Sequence, residues 1–137
     1  MKKDIKFVSK PSYIDGIRVV NDIEEAVECL KKGETIARFE WGESMMPLLN
    51  NGEYCTIEPI DDINDIEIGD AVLCEVNGVL MTHMVIVKSN ANSNSPYFLI
   101  GSSCLHFYGW TNKIYGLCKG TNILEKPSFL EYAEEVS

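Results

Sequence analysis

Two β-rich runs, Ala71 to Val76 and Val79 to Lys88, are joined by Asn77-Gly78, and this junction constrains the chain more than any other feature. An Asn-Gly pair suits the two left-handed positions of a tight hairpin turn, whose twist matches that of the strands it joins. The two runs are therefore expected to pair antiparallel. A lone two-stranded ribbon is marginal in water, so further strands must cover it. The chain offers them. Thr35 to Trp41 alternates, and Glu53 to Ile57, Tyr97 to Ile100 and Ile114 to Lys119 also read as strands. Asn90 to Pro96 is a polar loop. The acidic tail from Lys126 onward reads as a short helix or a frayed end.

One helix precedes these strands, predicted over residues 22–32. Ile23, Ala26, Val27 and Leu30 follow the i, i+3, i+4, i+7 pattern of one buried face. Asn21 is the expected cap, and Asp22, Glu24 and Glu25 suit the positive end of the helix dipole. Lys31-Lys32-Gly33 is a stop signature. Residues 1–20 read as extended, with Ile5, Phe7 and Val8, then Ile17, Val19 and Val20, interrupted by Pro11 and Asp15-Gly16.

The 137 residues, 45% apolar and 24% charged, suit a single domain with one core. No run approaches the 18 apolar residues of a membrane helix, and no apolar run follows the N-terminal lysines. A cytoplasmic protein is expected, without a membrane span. Its five cysteines (Cys29, Cys55, Cys74, Cys104 and Cys118) contain no C-x-x-C, so reduced, buried thiols are expected and no metal site. Cys104 and His106 stand two residues apart, but catalytic Cys and His usually meet through the fold, so no dyad is assigned to them. A net charge of −9 argues against nucleic-acid binding. All 21 acidic residues lie outside residues 76–124, which hold Lys88, Lys113, Lys119 and both histidines. A strand-rich segment that excludes carboxylates accounts for this.

The chemistry-bearing stretch is Gly42-Glu43-Ser44-Met45-Met46-Pro47-Leu48-Leu49-Asn50-Asn51-Gly52-Glu53. It follows a predicted strand directly. A strand ending in a Gly-flanked turn can present a serine hydroxyl at the sheet edge, with backbone amides behind it to hold an oxyanion. A serine in such a place is also an adequate turn or cap residue. The surrounding pattern favours chemistry. The stretch resembles the nucleophile motif G-x-S-M-x-P-x-L-x-x-G-D/E of the signal-peptidase and LexA-type superfamily of serine peptidases. Three further blocks follow in that family's order: Ile68-Gly69-Asp70-Ala71-Val72, Thr82-His83-Met84-Val85-Ile86, and Phe98-Leu99-Ile100-Gly101-Ser102. The resemblance covers about residues 35–120.

This resemblance implies a mainly β fold, a coiled antiparallel sheet like a distorted barrel. It implies an endopeptidase with Ser44 as nucleophile and His83 as general base, acting without a cofactor on a peptide or protein. An imidazole titrates near neutral pH, so it can take and return that proton. The amides of Ser44 and Met45 would hold the oxyanion. The hydroxyl that the family often adds two positions earlier is absent at Gly42. Gly42, Met46 and Pro47 would shape the substrate groove. Trp41 reads as a core or cleft-wall aromatic, and Asp70 as a structural turn acid.

Lys88 is the rival base, but strict alternation puts it on the face opposite His83 unless a bulge intervenes. The family's acid in the later block is missing, because the chain reads Gly101-Ser102-Ser103-Cys104 there. Ser102 or Ser103 would orient His83 instead, or an acid would arrive from Asp61, Asp62 or Asp65. That departure keeps open a second reading, a regulatory or peptide-binding module of the same fold without activity. Only one helix is expected before residue 40, which leaves no room for a DNA-binding helix-turn-helix there.

Overall fold

Helix α1 (Ile23–Lys31) forms where its apolar periodicity lies, and its ends are closed by side chain and glycine. The cap is Asp22, not Asn21: the Asp22 carboxylate accepts from the Glu25 amide at 3.2 Å. Asn21 is used otherwise. Its carbonyl accepts from Arg38 at 2.8 Å and its side-chain oxygen from the Phe39 amide, tying the start of the helix to a strand. At the far end the Glu34 amide reaches back to the Cys29 carbonyl, across Gly33 in a left-handed conformation (φ 88°).

The computed structural model describes residues 13–14, 16–39, 54–89, 96–102 and 106–119. Residues 1–12, 15, 40–53, 90–95, 103–105 and 120–137 lie outside it, and with them the expectations for Ile5, Phe7 and Val8, the Trp41–Glu53 stretch, the polar loop and the acidic tail. Nine strands are described: β1 (Tyr13–Ile14), β2 (Ile17–Arg18), β3 (Ile36–Phe39), β4 (Tyr54–Pro59), β5 (Ala71–Val76), β6 (Val79–Ser89), β7 (Tyr97–Gly101), β8 (Phe107–Thr111) and β9 (Ile114–Lys119). β1 and β2 form a small hairpin. The other seven make one antiparallel sheet in the order β3-β4-β9-β5-β6-β7-β8. The β5–β6 turn is as the sequence predicts, with Asn77 at φ 50° and Gly78 at φ 83°.

The sheet is open, with β3 and β8 as its edges, so the expected barrel does not close. It is nevertheless strongly curled. Only Asn112 and Lys113 join β8 to β9, although three strands stand between them in the sheet. From Thr111 to Ile114 the chain spans at most about 11 Å. β8 must therefore return over the sheet's middle, and Thr111 Oγ1 donates to the Glu75 carbonyl of β5 at 2.6 Å. Strand β8 went unforeseen because Gly109 interrupts it. That glycine has φ 143°, and a Cβ there would meet Val76 Cγ1 at 3.0 Å. Glycine is what lets β8 lie against the β5–β6 turn.

Two apolar layers follow. On one side α1 places Ala26, Val27, Cys29 and Leu30 against Ile36, Cys55, Ile57, Leu73 and Cys118. On the other side Val72, Cys74, Val76, Val85, Phe98 and Ile100 pack with Ile66 and Ile68 of the β4–β5 connection. β5 feeds both, Leu73 to the first and its neighbours Val72 and Cys74 to the second, as strand alternation requires. Cys29, Cys55, Cys74 and Cys118 are free and buried, as expected. No described helix is long and apolar enough to cross a membrane.

The helix seats closely on the sheet at Gly116, where β9 has no side chain beneath it. A Cβ on Gly116 would stand 2.5 Å from Ile57 Cγ2 and 2.8 Å from Leu30 Cδ1. Gly116→Val is expected to cost about 1–3 kcal/mol through overpacking. The urea midpoint measures this; an unchanged midpoint would show that α1 docks elsewhere.

Candidate functional site

His83 stands in the middle of β6, opposite Val72 of β5. Alternation turns it toward the concave side of the curl, with Val85 two residues on. The same curl that returns β8 brings Tyr108 over it. The two rings stack, with centroids 4.4 Å apart and planes inclined by 20°. His106, just before β8, meets the edge of Tyr108 at 4.6 Å and 64°. Three rings thus line one patch. The sequence reading missed Tyr108 and weighed His106 only against Cys104. The available signal was the i, i+2 spacing of His106 and Tyr108, which puts both on one face of a strand.

The imidazole is half-buried, and its Nδ1 is fully buried with no hydrogen-bond partner among the described residues. Burial pushes its pKa down from 6.5 to about 4, and the nearby His106 charge adds to the effect. At neutral pH the ring is therefore uncharged. Among the described residues no carboxylate bonds to it. Asp62 instead accepts from the Asn64 amide and closes the 3-10 turn Ile63–Asp65. Asp70 accepts from the Glu67 amide at 2.8 Å, the structural role expected of it.

Ser102 is buried beside this patch, but the bond described for its hydroxyl is with the His106 amide, at 3.2 Å. Its own amide donates to the His106 carbonyl at 2.9 Å. It ties the two ends of the Ser102–His106 connection together and leaves the His83 Nδ1 without a partner. Ser103 lies outside the described residues. So do Ser44, Gly42, Met45, Met46 and Pro47.

For Lys88 the structure supplies the bulge. The β6–β7 register shifts between Val85 and Val87, so that Lys88 pairs with Phe98 while Val85 pairs with Ile100. Phe98 and Ile100 share a face, and Lys88 therefore returns to the side of His83. It is engaged there: its Nζ donates to the Asn64 carbonyl at 2.7 Å and meets Glu67 at 3.1 Å. An ammonium held in an ion pair is a poor proton acceptor, so the assignment of the base to His83 keeps its advantage.

Among the described residues no group of three metal-ligating side chains stands together. The larger described groove, about 730 Å³, lies between α1 and the β5–β6 hairpin and holds none of these rings. No family model, no curated protein and no solved structure matches the chain.

The folded protein accommodates only the neutral form of His83 comfortably. In the unfolded chain the ring regains its ordinary value near 6.5, so on acidification protons bind the unfolded state first. Its contribution to stability is complete above about pH 6.5 and is lost progressively toward pH 4. Glu34, held below the usual carboxylate range by its hydrogen bond to Arg18, acts only at lower pH. Urea midpoints are expected to fall from pH 6.5 to 4, and His83→Gln is expected to flatten that fall. Midpoints constant across this window would rule out a buried neutral imidazole.

Proposed function

We propose that the chain is a serine endopeptidase in which Ser44 attacks the scissile carbonyl and His83 is the general base. The observation that carries this reading is the state of His83. It is a neutral imidazole on the concave side of the sheet, half-exposed, with no carboxylate partner among the described residues and a proton-accepting form at working pH. The four family-like blocks, in order, supply the nucleophile.

The geometry that the reading requires is definite. Four strand spacings separate β3 from β6, about 19 Å in a flat sheet. Five residues lead from Phe39 to Ser44, a reach of at most about 18 Å. Hydroxyl and imidazole meet when residues 40–44 run across the concave side toward β6. The chemistry then balances simply. The Ser44 Oγ–carbon bond forms while His83 takes the hydroxyl proton. The carbon–nitrogen bond breaks as His83 returns that proton to the leaving amine, giving an acyl-enzyme. A water then attacks the acyl carbon as the same ring takes its proton, and the carbon–Oγ bond breaks as the ring returns that proton to Ser44, releasing the acid. The amides of Ser44 and Met45 hold the oxyanion, and Gly42, Met46 and Pro47 line the bound peptide, which lies extended. No cofactor is needed.

Turnover should be slow. Removing the carboxylate's help from a triad costs about 10⁴ in rate, and His83 has no carboxylate partner among the described residues. That same observation favours a second reading, a peptide-binding module that has kept the fold without the activity.

A serine-reactive phosphonate separates the two. The expected result is slow stoichiometric labelling, abolished by Ser44→Ala and by His83→Ala. Folded wild-type protein that stays unlabelled while still binding peptides would establish the module instead.

A further inference from the structure

The third member of a catalytic triad does two things. It fixes the orientation of the imidazole, and it stabilises the imidazolium that forms when the serine proton is taken. A carboxylate is the usual group, but neither task demands one. The face of an aromatic ring carries negative charge density, and a cation within about 6 Å of the ring centroid is drawn to it. The flat side of Tyr108 lies 4.4 Å from the His83 ring centre, nearly parallel to it. Turning the imidazole about its own side-chain bond would break this stack. Tyr108 is itself held. Its neighbours Phe107 and Gly109 pair with Gly101 and Ile100 of β7, and His106 presses on its edge.

We propose that Tyr108 is the positioning residue of His83, orienting the ring by stacking and stabilising its cation through the π face where a carboxylate would otherwise stand. The inference rests on the assignment of His83 as the base for Ser44. His106 works in the opposite sense, since a second positive charge nearby disfavours the imidazolium. The missing acid and the presence of an aromatic on the returning strand β8 are then two parts of one arrangement.

Two substitutions distinguish the face from the bulk. Tyr108→Phe keeps the aromatic face and loses the hydroxyl. Tyr108→Leu keeps apolar volume and loses the face, and Tyr108→Met serves where the leucine variant misfolds. Phosphonate labelling of Tyr108→Phe is expected within about two-fold of wild type, and that of Tyr108→Leu about ten-fold slower, the size of a partly desolvated cation–π contact. In the same proteins NMR of the His83 ring should give a lower titration midpoint for Tyr108→Leu and an unchanged one for Tyr108→Phe. Equal rates and equal midpoints in all three proteins would overturn the proposal. Unlabelled wild type would remove the peptidase reading alone; the midpoints would then decide the ring pair, and an unmoved midpoint in Tyr108→Leu would overturn it.

Discussion

The two-residue link between β8 and β9 governs the rest of the molecule. A sheet of seven strands has no intrinsic need to fold back on itself. Its edge strand β8 must reach β9, four places in from that edge, within two residues, so β5, β6, β7 and β8 are obliged to curl. The bond from Thr111 to the Glu75 carbonyl fastens that curl without closing the ladder. Gly109 removes the side chain that would have held β8 away from Val76. What results is a concave side that is largely apolar and walled by strands from an acid-free stretch of sequence. Polar groups caught there depend on whatever the opposite wall provides.

His83 is such a group. A carboxylate beside it would raise its basicity, but residues 76–124 contain none. In the β4–β5 connection Asp62 and Asp70 shape the chain, Glu67 pairs with Lys88, and no described bond joins Asp61 or Asp65 to His83. Burial therefore acts on the imidazole largely unopposed, and the ring stays neutral. A neutral ring suits a proton acceptor, while a strongly depressed basicity weakens it. The balance between the two sets the expected slowness of the chemistry.

Much of this architecture is legible from residue order. The Asn77-Gly78 turn, the apolar stripe of α1 and six of the strands follow from local chemistry, because turn preference and periodicity act over a few residues. The cap shifts by one position because Asn21 is drawn into contacts with Arg38 and Phe39 from a strand far along the chain. β8 escapes because a glycine in mid-strand reads as a break, and its justification lies in Val76 and Asn77, thirty residues away. The bulge in β6 is likewise invisible locally, and it reverses the face on which Lys88 stands. In the candidate site, His83 is singled out by the motif that it stands in, as the proposed base. Its partners are not, since they come from a strand that local patterning did not reveal. The Ser44 stretch, the plainest signal in the sequence, lies outside the described residues.

The rival bases differ in what burial does to them. Burial lowers the basicity of either an ammonium or an imidazole by disfavouring the charged form. The Lys88 Nζ is already engaged, by Glu67 and the Asn64 carbonyl. For His83 nothing of that kind intervenes, and an aromatic face is the only group stacked against it among the described residues. One strand thus carries a charged cation tied down at its far end and an uncharged base at its middle. The bulge between them lets both face inward without competing for the same partner. An acid next to His83 would strengthen the base, but it would also offer Lys88's strand a second anion in an apolar hollow, where unpaired charge is costly. An aromatic neighbour gives orientation without that burden, which is why the ring stack and the absence of acids belong to the same solution.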